Sequence, residues 1–228
     1  SDMPPPCVVV LIGNDGEGVE LACACARRLC RVLKRTKEFS GHKVSGDPML
    51  VLNKNKKTIM QKIREAVQLV KDHDASWLII YYAGHSFWDL DYEEIVIEPK
   101  AEPKAGGGMK LEKQVKLTVR KAELKKIIKT TIFVDGCLEL GRDESEDESE
   151  DDYQFGDSME LPRNEDFQCV CSCEFGQSVR DGCLFARAIE RCARESLDQE
   201  GLIKHVQELA RQLSFGRLCP FSKCLEVP

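Results

Sequence analysis

Apolar and polar residues follow one another in a pattern that predicts alternating strands and helices over the first third of the chain. Short apolar runs bounded by turn residues, typical of buried strands, occupy residues 7–13, 48–53 and 77–82. Between them, apolar residues recur at helical spacing over residues 19–34 and 58–72. The order strand–helix–strand–helix–strand predicts an α/β domain with a parallel sheet and helices on both of its faces.

The rest of the chain extends this pattern to a mostly parallel six-stranded sheet. Two further apolar runs predict buried strands, and a C-terminal segment predicts a tail or an edge strand. The expected elements are the arms of a strand pair at 94–98 and 114–119, a flexible loop between them at 100–113, a helix at 120–129, strands at 131–137 and 167–172, helices at 182–193 and 199–213, and the tail at 219–227.

An acidic run interrupts the chain after the fourth predicted strand. Residues 143–152 (DESEDESEDD) contain eight acids and no base, so the remaining chain is close to neutral although the whole carries a formal charge of −6. The run lacks the apolar residues needed to fold alone, and we expect a disordered linker. A single domain over 7–213 would then have a larger part at 7–141, the linker at 142–165 and a smaller part at 166–228.

Twelve cysteines are many for 228 residues. Ser1-Asp2 before Met3 resembles an expression scar, and the N-terminal SDMPPP has neither the basic start nor the apolar core of a secretion signal. We therefore expect a cytoplasmic protein with reduced thiols. No paired C-x-x-C or C-x-x-H elements suggest zinc, so eleven cysteines are interpreted as small buried fillers. The twelfth, Cys137, is the exception.

Two apolar runs carry a reactive side chain at their ends. The segment WLIIYYAGHS contains His85, and the segment TIFVDGC ends at Cys137. Because ligands of α/β sheets bind outside the carboxyl ends of the strands, we expect His85 and Cys137 to share one crevice. A cysteine nucleophile reacts as the thiolate, and a nearby histidine is the usual means of forming it. The pattern therefore predicts a Cys137/His85 dyad.

These segments resemble the catalytic motifs of the caspase-like cysteine peptidases, which include caspases, metacaspases and paracaspases. YYAGH is followed by a strand, a helix and FVDGC, with the cysteine about 50 residues after the histidine. VVVLIGN resembles the strand that opens the catalytic domain, and QCVCSCEFGQSVRDGCLFARAIER resembles the segment after the interdomain linker. The resemblance covers about residues 7–213 and implies a caspase-like fold.

The resemblance implies that His85 is the catalytic histidine and Cys137 the nucleophile. Gly84 and Gly136 would supply the backbone around the oxyanion. In this mechanism the histidine assists ionisation of the thiol, the sulfur attacks the scissile carbonyl, and water releases the acyl group from the thioester. The implied function is that of a cysteine endopeptidase.

The Asp-x-Cys order is closer to metacaspases and paracaspases than to caspases, and it implies cleavage after Arg or Lys. Asp135 matches an acid of their specificity pocket, and Ser172 is a further candidate for substrate binding. If the acidic linker is itself cut, Arg142 before it and Arg163 after it are the candidate cleavage sites.

Departures from the family pattern keep an alternative open. Ser86 stands where the family has glycine, Glu139 places an acid near the thiol, and the first helix (LACACARRL) lacks the second pocket acid. The alternative is a pseudopeptidase that acts as a protein-binding regulatory module. A third interpretation is a caspase-fold domain whose specificity comes from other regions of a longer protein.

The expected partner is a protein or peptide substrate. No basic patch indicates nucleic-acid binding, and no apolar run is long enough to span a membrane. The oligomeric state is open, with a homodimer as one alternative. No cofactor or metal is predicted in the site, although calcium as an activator is an alternative use of the acidic run.

Overall fold

The computed structural model defines most of the chain outside the acidic run. The residues that the structure describes are 6–16, 19–90, 94–100, 108–136, 139–141, 166–172, 183–214, 216, 218 and 220–223. In chain order the elements are β1 (Cys7–Gly13), α1 (Ala22–Thr36), β2 (Glu38–Phe39), β3 (His42–Lys43), β4 (Met49–Leu52), α2 (Lys56–Asp72), β5 (Trp77–Ala83), β6 (Ser86–Asp89), β7 (Glu94–Ile97), β8 (Met109–Lys110), α3 (Leu111–Lys121), β9 (Lys129–Asp135), β10 (Glu139–Gly141), β11 (Phe167–Cys171), α4 (Leu184–Cys192), α5 (Gln199–Leu213) and β12 (Phe221–Lys223).

A six-stranded sheet forms the centre of the fold, in the order β12-β11-β9-β5-β1-β4. The strands from β4 to β11 run parallel, and β12 joins the β11 edge in the antiparallel direction. The predicted α/β class with a mostly parallel six-stranded sheet is therefore confirmed. Four further strands form a smaller sheet in the order β10-β6-β7-β8.

Both faces of the central sheet are covered, because successive side chains of a strand point to opposite sides. On β5, Ile79 and Tyr81 pack into an apolar cluster with α1, α4 and α5. Leu78, Ile80 and Tyr82 pack into a second cluster with α2 and α3. The continuous apolar runs of β1 and β5 are buried throughout, as expected for parallel strands between two helical layers.

The predicted strand arm at 114–119 is wrong, because this segment lies within α3. Val115, Leu117 and Val119 alternate as strand residues do, but Leu111, Val115 and Val119 also recur every fourth residue, which is a helical spacing. The structure buries the second set, which lies on one side of the helix, and leaves Leu117 partly exposed. The helix predicted at 120–129 is also wrong for most of its length, because the helix spans Leu111–Lys121 and β9 begins at Lys129.

The other predicted arm, 94–98, is a strand, but its partners differ from the expected one. β7 pairs with β6 and with β8 instead of with residues 114–119. Of the loop predicted at 100–113, residues 101–107 lie outside the described part of the chain, and the prediction is wrong at 109–113, which lie in β8 and the start of α3.

Two cysteines contradict the expectation that all thiols except Cys137 are reduced fillers. Cys25 of α1 and Cys183, just before α4, form a disulfide. The free cysteines among the described residues are all buried, as a filler role requires, and they are Cys7, Cys23, Cys30, Cys169, Cys171 and Cys192. Burial raises the pKa of Cys7 and of Cys192 to about 12, which keeps both thiols protonated and unreactive at neutral pH.

Candidate functional site

The carboxyl ends of four parallel strands meet at one edge of the central sheet. Ala83 at the end of β5 lies opposite Asp135 at the end of β9, and the Gly84 amide donates to the Asp135 carbonyl at 3.2 Å. The Asn14 amide, just past β1, donates to the Ala83 carbonyl at 2.9 Å. The Ser172 amide, just past β11, donates to the Val134 carbonyl at 2.9 Å. The residues that follow these strands are thus neighbours.

His85 is half-buried, and its backbone is fixed from two directions. Its carbonyl oxygen accepts from the Tyr82 hydroxyl at 2.9 Å and from the Glu98 amide at 3.0 Å. Its imidazole lies against Gly16 of the loop after β1. A Cβ atom at Gly16 would lie 2.7 Å from Cδ2 and 2.9 Å from Nε2 of the ring. Glycine at this position therefore leaves the space that the ring occupies.

Gly84 and Gly136 allow the two strand ends to approach closely. Gly84 has φ of +153°, which side chains rarely adopt, and a Cβ atom there would lie 2.5 Å from the Tyr82 hydroxyl. A Cβ atom at Gly136 would lie 2.5 Å from both the Gly84 carbonyl oxygen and the Ser86 hydroxyl. The Gly84 amide already donates to Asp135, so its contribution here is the path of the backbone. Ser86 occupies the space beside Gly136.

Asp135 is a buried acid whose carboxylate is held by hydroxyl donors. Its Oδ2 accepts from the Tyr81 hydroxyl at 2.7 Å, and the Ser172 hydroxyl is a second polar partner of the carboxylate. Burial raises the pKa of Asp135 to about 6, because the charged form loses its water, and the two hydrogen bonds oppose that rise. The structure thus brings together the two residues that the sequence assigns to substrate binding, Asp135 and Ser172.

Ser172 also connects Asp135 to the next residue along the chain. The side chain of Ser172 is completely buried, and its hydroxyl lies 3.3 Å from the Gly136 carbonyl oxygen. The end of β11 therefore supports the turn that follows β9.

A second pairing joins the same two chain segments beyond the strand ends. β10 pairs with β6 in parallel, so that Glu139 lies opposite Phe87 and Gly141 lies opposite Asp89. The segments that contain His85 and Cys137 are therefore paired both before and after these two positions. Cys137, Arg142 and Arg163 themselves lie outside the described residues.

No family model and no curated protein matches the chain. Solved structures do. Caspase-1 from Spodoptera frugiperda superposes with a TM-score of 0.62 at 13% identity, over 97% of this chain and 88% of that chain. The structure of pro-sf-caspase-1 gives a TM-score of 0.54 at 13% identity, over 92% of this chain and 80% of that one. The chain has a caspase-like fold. Whether it resembles metacaspases or paracaspases more than caspases stays a prediction from the Asp-x-Cys motif.

Three residues of the candidate site were not identified from the sequence. Tyr81 bonds the candidate pocket acid, Tyr82 bonds the backbone of His85, and Gly16 accommodates the His85 ring. A signal for Tyr81 existed, because same-face residues of paired strands lie within reach of each other once the register is known. Gly16 carries no such signal, since the loop after β1 meets His85 only in the folded protein.

No helix in the described part of the chain is long and apolar enough to cross a membrane. Among the same residues, no group of three or more His, Cys, Asp or Glu side chains is arranged to hold a metal ion. The acidic run, on which the calcium alternative depends, lies outside the described residues.

Proposed function

We propose that the chain is a cysteine endopeptidase that cleaves after Arg or Lys through a Cys137/His85 dyad. The caspase-like fold makes peptide-bond hydrolysis at this edge of the sheet a natural function, but fold alone does not establish it. The observation that carries the proposal is the strand pairing before and after His85 and Cys137.

The segment that contains His85 and the segment that contains Cys137 are paired at two points, and the same number of residues separates these points on each segment. Ala83 lies opposite Asp135, and Phe87 lies opposite Glu139. On each segment, three residues separate the first paired position from the second.

His85 is the middle residue of one of these connections, and Cys137 is the middle residue of the other. Two connections of equal length that start and end at paired positions are well suited to present their central residues to one another. This matching supports a dyad in which the imidazole receives the thiol proton and the resulting thiolate attacks the scissile carbonyl.

Asp135 supports selection of a basic residue. Tyr81 and Ser172 hold its carboxylate in a fixed position, and a pKa of about 6 leaves it mostly ionised at neutral pH. A buried carboxylate is stabilised when a guanidinium or ammonium group enters beside it. In the proposed reaction the substrate supplies that cation.

Covalent labelling tests this function directly. A peptide acyloxymethyl ketone ending in Arg is expected to modify Cys137, as shown by an increased mass of the peptide that contains it. H85A and C137A should abolish the modification. A matched probe ending in citrulline has nearly the same shape without the charge and should react at least 10-fold more slowly, because a buried charge pair is worth over 1.4 kcal/mol. Equal rates for the two probes would contradict basic specificity, and no modification of folded protein would contradict the peptidase.

A second candidate function, a protein-binding module without peptidase activity, is favoured by two features. The Asp135 carboxylate is already satisfied by Tyr81 and Ser172, and the buried Ser86 side chain fills space beside Gly136 where the family pattern has room for substrate. S86G separates the alternatives. If Ser86 only narrows the crevice, S86G speeds the labelling of Cys137; in a pure binding module, labelling stays absent.

We further propose a protein or peptide substrate and a cytoplasmic location, with cleavage of the chain itself after Arg142 or Arg163. Incubation of the purified protein, followed by mass analysis, should give fragments ending at these residues, and C137A should give none.

Addition of calcium or of a chelator during the incubation tests whether the acidic run is an activator site. Sedimentation before and after cleavage tests the homodimer.

A further inference from the structure

A covalent bond links the parts of the chain on either side of the acidic run. Cys25 lies in the first turn of α1 and Cys183 immediately precedes α4, at a sequence separation of 158. Their Cα atoms are 5.2 Å apart, which is within the range that a disulfide requires. The acidic run at 143–152 falls inside the loop that this bond closes.

The two cysteines differ in their access to solvent. Cys25 is 4% exposed and packs in the apolar cluster beneath α1. Cys183 is only half-buried and begins α4 in a left-handed conformation, with φ of +64°. A small thiol can therefore reach the Cys183 sulfur more easily than the Cys25 sulfur.

Helices α1 and α4, which the disulfide joins, also contact each other through non-covalent interactions. Arg28 Nε of α1 donates to Glu190 Oε2 of α4 at 2.6 Å, and Glu190 is mostly buried. Arg194 bonds the second oxygen of the same carboxylate at 3.0 Å. Phe185 and Ala186 of α4 share the apolar cluster with α1. Loss of the disulfide should thus leave the two helices in contact under native conditions.

We infer that Cys25 and Cys183 form a redox modification site for low-molecular-weight thiols, which decides whether a chain cut in the acidic run remains one covalent unit. A thiolate of the small thiol attacks the Cys183 sulfur, the disulfide breaks, and Cys25 leaves as a thiolate that takes up a proton. A second thiol then attacks the mixed disulfide and releases Cys183. Two small thiols become one small disulfide, and the protein disulfide becomes two thiols.

The two redox forms have different consequences after a cut. In the oxidised form, the fragments before and after the acidic run stay joined through Cys25 and Cys183. In the reduced form, non-covalent contacts alone hold them together, among them the pairing of β9 with β11, the Arg28–Glu190 ion pair and the apolar contacts of α1 with α4. Because the cytosol keeps most thiols reduced, a reversible bond there responds to the local redox state.

The test uses the full chain with the recognition sequence of a sequence-specific protease inserted between Ser149 and Glu150. After cutting and blocking of free thiols, the oxidised protein should run as one species near 25.7 kDa on a denaturing gel without reductant. Dithiothreitol should convert it into two fragments. C25A and C183A should each give two fragments without reductant.

C30A is the matched control, because Cys30 lies on the same helix and has the same 4% exposure as Cys25. It should behave like the parent protein. If C25A or C183A does not fold, a disulfide-linked peptide pair containing both cysteines, detected by mass in the uncut parent, gives the same answer. Graded mixtures of glutathione and its disulfide should interconvert the one-band and two-band forms reversibly. Two fragments from the oxidised parent without reductant, or a bond that glutathione cannot open in the folded protein, would overturn the inference.

Discussion

Tyr81 and Tyr82 are neighbours on one strand, yet they act on opposite faces of the central sheet. Tyr81 points into the cluster of α1, α4 and α5 and donates to the carboxylate of Asp135. Tyr82 points into the cluster of α2 and α3, and its hydroxyl is shared between the carbonyl oxygens of His85 and Glu98. One hydroxyl thus donates to a group that changes its charge, and the other donates to backbone carbonyl groups.

The difference assigns two separate tasks to the two faces. The α1/α4 face controls the electrostatics of the candidate pocket, because the Tyr81 bond is worth most when Asp135 is ionised. The α2/α3 face controls geometry, because Tyr82 fixes the backbone that carries His85. Effects of pH should therefore follow Tyr81, and effects of backbone shape should follow Tyr82.

The largest expected effect comes from G84A. The new Cβ atom meets the Tyr82 hydroxyl at 2.5 Å, and φ of +153° strains any side chain. Together, overpacking and strain should lower the free energy of unfolding by about 3 kcal/mol. Y82F removes the hydroxyl that the Cβ atom meets, so G84A should cost about 1 kcal/mol less in the Y82F background. Denaturant unfolding measures the free energy of unfolding of the parent protein, G84A, Y82F and the double variant. Strictly additive losses would show that the Tyr82 hydroxyl is not what the new Cβ atom meets.

The next effect is the pH dependence that Asp135 contributes. Its pKa of about 6 exceeds the value of 3.8 for an exposed Asp, so the folded state binds the proton more tightly. The wild-type protein should therefore lose about 2 kcal/mol of unfolding free energy relative to D135N as the pH rises from about 4 to about 6. Urea titrations at several pH values measure this difference.

D47N is the control for that experiment. The hydrogen bond and charge of Lys37, followed by the charge of Lys34, lower the pKa of the exposed Asp47 carboxylate. The stability that this carboxylate contributes is lost as the pH falls, so the slope relative to D47N should have the opposite sign. The same slope for both variants would contradict the assignment to Asp135.

A smaller effect separates the two tyrosines. At pH 7, Y81F should cost about 1.5 kcal/mol, because a buried carboxylate loses a charge-assisted hydrogen bond. Y82F should cost about 1 kcal/mol, because its partners are neutral carbonyl groups. The Y81F loss should shrink at pH 5 and in the D135N background, whereas the Y82F loss should stay constant. Equal pH dependence of the two losses would remove the distinction between the faces.

G16A is expected to have the smallest effect on the free energy of unfolding but a marked effect on the position of the His85 ring. Its Cβ atom would displace the His85 ring, and a misplaced base should slow labelling of Cys137 roughly 10-fold or more. The His85 ring signals in an NMR spectrum should move as well, which reports on the ring without any reaction. G46A is the control: nothing lies within 4 Å of its Cβ, so labelling should be unchanged despite φ of +67°. Unchanged ring signals in G16A would contradict the contact.

The central sheet could be predicted from the sequence because its strands are continuous apolar runs of a length that suits no buried helix. The same runs placed the residues after β5 and β9 at one edge, and the structure brings Gly84, Asp135 and Gly136 together there. α3 was missed because the apolar residues of 111–119 satisfy two periodicities at once. The pairing of β6 with β10 was missed because three residues with a terminal glycine carry almost no strand signal.

The disulfide shows a different limit. Nothing in the spacing of Cys25 and Cys183 distinguishes them from the other cysteines, because their approach depends on how α1 and α4 pack against each other on one face of the sheet. The role of Tyr81 was partly predictable from the sequence. It could have been matched with Asp135 once the register of β5 and β9 was known, but the register itself is a property of the folded sheet.

The connection from β5 to β6 and the connection from β9 to β10 have the same number of residues between their paired positions. This equality constrains the length of the two connections more than their amino-acid composition. Replacing Ser86, for example, alters chemistry and leaves both ladders aligned. Adding or deleting one residue in either connection would put β6 and β10 out of step with the strands that precede them, and every later side chain on that segment would change sides. Homologues with this architecture should therefore keep the length of both connections, and an engineer who wishes to change the specificity should keep the residue count.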